Sequence, residues 1–212
     1  VGLAQPGTAE VAELRGRAVG TFRGDPLEVL LHDALAAAGM AMSDIEVHYL
    51  DDIAGAMELF TSGRLAALTL AEPHATRLRN WGAAVLSDGT ELWGTPFPDT
   101  VLVASATLLA ERPAVVQAAV RAMIRAEELI AADPAEAVRQ AMPQFPGYGH
   151  AELAEAARRQ PPCVDIRALI PCVLDRWPSL QSLGLVPTGL PAPTGAINLD
   201  LLTAELASAD PA

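Results

Sequence analysis

The sequence predicts an α/β fold: a parallel-sheet lobe with flanking helices, followed by a helix-rich C-terminal region. Two observations carry this. Residues 17–22, 45–50 and 65–70 are short and mostly apolar, as buried parallel strands are. Between them lie stretches with helical periodicity, long enough to return each strand parallel to the last in one sheet.

The first strand ends at Phe22, and Asp25-Pro26-Leu27-Glu28 then carries three helix-start signals together. These are an acceptor at the N-cap, a proline at N1 and a carboxylate at N3. Leu27, Leu30, Leu31, Ala34, Leu35 and Ala38 share one face of that helix, and Gly39 supplies its stop. After the second strand, Asp51 or Asp52 caps a helix with Ile53, Ala56, Met57 and Phe60 inward and Gly63 at its end. The third strand runs into Glu72-Pro73, where a helix to Trp81 begins and Gly82 closes it.

Residues 83–86 and 100–105 read as further strands, separated by a loop at 87–98 that holds Asp88-Gly89 and two prolines. Pro113 opens the longest helix, and Asp133-Pro134-Ala135-Glu136 repeats the capping pattern of Asp25. Beyond Pro143 the pattern is helical and loop-rich, with Pro171 expected to kink or split a segment at 165–183 and a short closing helix at 199–207. The expected division is a lobe at 1–98 and a return segment with a helix-rich part at 99–212. Val1 opens a polar segment containing Gly and Pro, with neither an initiator Met nor a signal peptide, which reads as a chain that was processed, trimmed or renumbered.

Composition bounds the function. With 51% hydrophobic residues in 212, a packed core is available, but aromatics at 4% leave it to Ala, Leu and Val. The 14 basic and 26 acidic side chains leave a net charge of −12, which argues against a nucleic-acid partner. No apolar run approaches the ~20 residues needed to span a bilayer. Cys163 and Cys172 read as free thiols, or as a disulfide if the segment between them bends; without accompanying His they make a poor metal site. No activated nucleophile, acid–base pair, phosphate loop or dinucleotide fingerprint is visible, so neither an enzyme nor a cofactor is expected.

The candidate ligand groups stand at strand ends. Thr21, Arg23, Gly24 and Asp25 form the first strand-to-helix turn, where backbone N–H groups and a helix dipole can cradle a polar group; Asp25 reads equally as a plain cap and Arg23 as solvated surface. Glu72 and His74 follow the third strand, where open α/β sheets hold ligands. A contact from Glu72 would favour an amine or pyrimidine over an anion, but it also reads as a helix cap, and His74 as surface. Asp99 begins the return segment and lines a cleft or satisfies a turn.

Several segments resemble a known family: Leu14-Arg15-Gly16-Arg17-Ala18-Val19-Gly20, the Gly24 helix start, Ala38-Gly39-Met40 with Asp44-Ile45-Glu46-Val47, residues 56–67, Glu72-Pro73-His74-Ala75, Val101-Leu102-Val103-Ala104-Ser105 and Ala132-Asp133-Pro134-Ala135-Glu136-Ala137. Together they look like the second lobe and return segment of ABC-importer substrate-binding proteins of the nitrate/sulfonate/taurine class, which includes binders of thiamine-precursor pyrimidines. The resemblance covers residues 10–140 well and the rest loosely. It implies a type II periplasmic-binding-protein-like fold and an extracytoplasmic protein that captures a small polar solute between lobes and passes it to an ABC permease. A ligand-sensing regulatory domain, or an enzyme of pyrimidine metabolism, would use the same fold.

Two departures stand out. Family members begin with about a hundred further residues, the size of an α/β half-domain. The resemblance therefore implies a missing N-terminal lobe or a partner chain, with membrane anchoring through a segment absent here. Where the family writes Gly-Gln-Val-Asp-Ala, this chain reads Gly63-Arg64-Leu65-Ala66-Ala67 and lacks the Asp. The cysteine-rich motif of the pyrimidine-synthesising branch is not matched by Cys163 and Cys172.

Overall fold

A computed structural model describes residues 1–209. It divides into two compact units: Val1–Asp99 with Cys172–Pro191, and Thr100–Pro171 with Ala192–Ala212. The first unit takes in a C-terminal segment as well as residues 1–99, which local patterning does not announce.

The first unit is built as β1 (Gly2–Ala4), β2 (Ala18–Thr21), α1 (Pro26–Ala37), β3 (Glu46–Tyr49), α2 (Ile53–Thr61), β4 (Ala67–Thr69), α3 (His74–Trp81), β5 (Ala84–Ser87) and α4 (Thr90–Trp93). Among the described residues the strands form one five-stranded sheet in the order β3-β2-β4-β1-β5. β2 pairs parallel with both β3 and β4, as the sequence predicts. β1 runs antiparallel between β4 and β5, and the sequence reading assigns no element to it. Three residues carry too little pattern to announce a strand; long-range pairing makes this one.

Successive strand residues face opposite sides of the sheet, giving the unit two cores. One holds Leu14, Val19, Leu31, Leu35, Met40 and Ile45 under α1. The other holds Leu3, Ala56, Phe60, Leu65, Leu68, Ala75 and Leu78 under α2 and α3, with Trp81 set edge-on to Phe60 at 5.8 Å between centroids. Gly20 faces this second core so closely that a Cβ there would lie 2.8 Å from Leu50 Cδ1 and from Leu65 Cδ1. The absence of a side chain at residue 20 is a packing requirement.

The helix starts follow the sequence reading. Asp25 caps α1 by accepting from Leu27 N at 2.8 Å, and Asp52 caps α2 by accepting from Gly55 N at 2.8 Å. Gly82 ends α3 with φ +114°, a left-handed conformation suited to glycine.

The second unit holds α5 (Ala106–Glu111), α6 (Pro113–Ala132), α7 (Pro134–Ala141), α8 (His150–Arg159) and α11 (Asp200–Ala209). Val116, Ile124, Val138, Leu153, Ala156 and Leu202 are buried there. Glu205, only 7% exposed, accepts from Arg121 Nε at 2.8 Å and Gln117 Nε2 at 2.6 Å, which fastens α11 to α6.

One expectation is corrected. The strand expected at 100–105 is not one: the segment is irregular, with Val101, Leu102 and Val103 exposed by 47%, 49% and 82%. β-Branched residues set a preference, but a strand exists only where a neighbouring strand supplies hydrogen bonds. The segment expected to be kinked or split at Pro171 is divided twice: a 3-10 turn at Arg167–Leu169 gives way to α9 (Ile170–Asp175) directly before Pro171, and α10 (Trp177–Ser182), with Pro178 in its first turn, starts after Arg176. Cys163 and Cys172 are free, the first exposed and the second buried.

Candidate functional site

Because β2, β3 and β4 are parallel, their C-terminal residues Thr21, Tyr49 and Thr69 come to one edge of the sheet, and the turns after them lead into α1, α2 and α3. Thr21 lies wholly buried, its Oγ1 2.8 Å from Thr69 Oγ1, so that one hydroxyl donates to the other. The predicted ligand contact is thus an internal tie between two adjacent strands.

The next turn carries the more open chemistry. Gly24 adopts φ +74°, and its N–H donates to Glu28 Oε2 at 2.6 Å. Glu28 is itself 0% exposed; its other oxygen accepts from the Tyr49 hydroxyl at 2.7 Å. Burial, together with the hydrogen bond to and charge of Glu28, pushes the Tyr49 phenol pKa up, against the opposing Arg23 charge. Arg23 is exposed and lies over the Tyr49 ring, its Cζ 4.9 Å from the ring centroid. Among the described residues Arg23 makes no ion pair.

After β4, the peptide Glu72–Pro73 is cis and α3 begins at His74. Glu72 accepts from Thr76 N at 2.8 Å and pairs with Arg79, both side chains being largely buried at 7% and 15% exposure. Its capping role is therefore real, and it has a charge partner besides. Burial lowers the His74 pKa, as does the Arg77 charge, with Glu72 opposing. Asp99 closes the first unit in an exposed stretch and, like Glu72, acts electrostatically on the Val1 amino group, which donates to Leu70 O at 2.9 Å.

The structure thus joins Arg23, Gly24 and Asp25 with Glu28 and Tyr49, and places Glu72 and His74 on the turn after β4. Glu28, Tyr49 and Arg79 were not singled out as site residues from sequence. Tyr49 had a signal, since it ends a parallel strand; Glu28 was visible only as a helix-start carboxylate.

A second polar cluster lies along α1. Asp33 accepts from Ser179 Oγ at 2.7 Å, Trp93 Nε1 at 2.9 Å and Arg176 Nη1 at 3.0 Å, with His32 Nδ1 2.8 Å away. Beside it an open groove of about 250 Å³ is lined by Asp33, Ala36, Ala37, Trp93, Arg176 and Ser179. A cavity of about 20 Å³ beneath α1, among Leu30, Leu31, Ala34 and Leu86, has room for one water molecule and belongs to the core.

The mixed α/β fold, in which the parallel strands β2, β3 and β4 run into helices, is shared with periplasmic binding proteins of known structure. The chain belongs to the NMT1-like family, whose model matches residues 7–144. No curated protein matches it. Among solved structures it is similar to the periplasmic aliphatic sulphonate binding protein SsuA from Escherichia coli, with a TM-score of 0.73 and 21% identity over 93% of this chain and 65% of that one. The alkanesulfonate-binding protein SsuA from Xanthomonas axonopodis pv. citri, bound to MOPS, gives a TM-score of 0.71 and 21% identity over 90% of this chain and 66% of that one. The desulfurization enzyme DszB gives 0.65 and 18% identity, over 99% and 75%. At these identities the likeness shows the fold. The chain spans just under two thirds of the length of the two SsuA structures.

Proposed function

We propose that this chain is part of an extracytoplasmic solute-binding protein of an ABC importer. It captures a small polar solute at the strand-end edge of its first unit and delivers it to a membrane permease. The observation that carries the reading is the turn after β2: an exposed Arg23 fixed beside Tyr49 and Gly24 at the C-terminal ends of parallel strands, where open α/β sheets bind ligands. Family membership and the shared fold of the SsuA proteins support it. The solute would be nitrate, a sulfonate, taurine or a pyrimidine-like molecule. Among the described residues no helix is long and apolar enough to cross a membrane.

The fold shared with DszB favours a second reading, an enzyme. We expect binding without turnover, because the strand-end residues offer a guanidinium set over an aromatic ring and capped helix starts rather than an activated nucleophile. The test is a thermal-shift screen of this chain against nitrate, bicarbonate, alkanesulfonates, taurine and thiamine-precursor pyrimidines. A solute at about 100 times its Kd adds about 2.7 kcal/mol. One selective shift with the solute recovered unchanged supports the reading; a flat screen of a folded sample, or chemical conversion of the solute, overturns it.

A further inference from the structure

We infer that Arg23 is the anchor for an oxyanion group on the solute, a carboxylate or a sulfonate, and that Tyr49 and Glu28 are the positioning residues that hold its guanidinium ready. This rests on the solute-binding reading and names the chemistry of that site.

The argument begins with the donors an anion would otherwise use. Helix N-termini are the usual anion cradles of such folds. Here the three that start at this edge are occupied by the chain's own carboxylates. Leu27 N donates to Asp25 and Gly24 N to Glu28; Gly55 N donates to Asp52; Thr76 N donates to Glu72, whose charge is also met by Arg79. An incoming anion would meet a carboxylate already seated at each.

Arg23 differs from these groups. It is exposed, and among the described residues it has no carboxylate partner, although Asp25 is two positions away in the chain. Its guanidinium lies over the Tyr49 ring at 4.9 Å. The guanidinium carries its N–H donors in one plane, and with no carboxylate among the described residues taking them up they offer the fork that matches two oxygens of a carboxylate or sulfonate.

Glu28 is buried and makes two attachments, while Tyr49 itself stands 43% exposed at the strand end. Glu28 holds the Tyr49 hydroxyl at 2.7 Å with one oxygen and the Gly24 N–H at 2.6 Å with the other. One carboxylate therefore fixes both the platform on which Arg23 lies and the peptide that follows Arg23 in the chain. Side-chain freedom lost on binding is reduced in advance, as in other preorganised sites.

The experiment titrates the full chain with ethanesulfonate, propionate and propylammonium. It follows the Arg23 Nε–Hε and Tyr49 ring resonances by NMR and obtains a Kd for each probe. The wild type should bind at least one of the two anions, with shifts at both residues, and propylammonium more weakly; which anion binds distinguishes a sulfonate from a carboxylate solute. Arg23→Lys keeps the charge but loses the fork and the stacking, and should weaken that anion about tenfold with an unchanged melting temperature. Tyr49→Leu should weaken it in the same sense, with Arg23 still present. Anion binding that survives Arg23→Lys within twofold, or a preference for propylammonium, overturns the assignment and leaves the solute-binding reading standing. If none of the three probes binds, the assignment falls, and the wider solute screen decides separately whether the chain binds solutes at all.

Discussion

Replacing Asp33 by alanine tests the tie between α1 and the C-terminal segment of the first unit. The Asp33 side chain is 12% exposed, and Arg176, which it faces at 3.0 Å, is 21% exposed. Alanine would strand the Arg176 guanidinium, the Trp93 indole N–H and the Ser179 hydroxyl together. Removing one partner of a buried ion pair costs roughly 3–5 kcal/mol, a large share of the ~5–15 kcal/mol by which a domain is stable. Asp33→Asn keeps the shape and some acceptor capacity, so its loss should be smaller, roughly 1.5–3 kcal/mol for hydrogen bonds to a lost charge. The assay is urea unfolding followed by Trp fluorescence and circular dichroism. With a slope of about 2–3 kcal/mol/M, the alanine midpoint should fall by about 1–2 M.

Acid supplies an independent arm. Burial pushes the Asp33 carboxyl pKa up, but the hydrogen bonds with His32, Ser179 and Trp93 and the Arg176 charge outweigh it and hold the group below its ordinary value. A carboxylate depressed in the folded state contributes stability that is fully present above its unfolded pKa of about 3.9 and is lost as pH falls through the folded value. Wild type should therefore lose this stability below about pH 3.9, and Asp33→Ala should lack that component. An alanine variant within about 0.5 kcal/mol of wild type would show that the cluster carries no stability, and the reasoning would fail.

Two further predictions follow from the first unit. Gly20→Ala would place a methyl 2.8 Å from two leucine side chains and should cost about 1–3 kcal/mol in chemical denaturation; wild-type stability would refute the packing account. His74 is held below its ordinary pKa by burial first, then by Arg77, so the unfolded chain takes up its proton first and stability falls as pH drops from about 6.5 through the folded value. His74→Gln should flatten stability against pH in that window, and an unchanged slope would sink the idea.

The β2–α1–β3–α2–β4 run was legible because its signals are local: Asp25 and Pro26 start one helix, Asp52 the next, and Gly39 and Gly63 mark stops within a few residues. β1 was not legible, since Gly2–Ala4 is a strand only through partners at Ala67–Thr69 and Ala84–Ser87. The reverse error at Val101–Val103 has the same root, a strong local preference without a pairing strand. In the site, the Arg23–Asp25 turn was visible as a strand end, but Thr21 read as a contact because nothing in the sequence joins it to Thr69, 48 positions on. Asp33 looked like any polar residue on an amphipathic helix. Its partners lie 60, 143 and 146 positions away.

Because Cys172–Pro191 belongs to the first unit, the polypeptide leaves that unit after Asp99 and comes back to it only after Pro171. On a ribosome the sheet can form early, but Arg176 and Ser179 reach Asp33 only once the helices between have been synthesised. Throughout that interval the α1 surface around Asp33 and Trp93 stands uncovered, and a stalled or truncated nascent chain would present it to chaperones and proteases. Any cut that frees residues 1–99 as a fragment would leave that surface permanently bare.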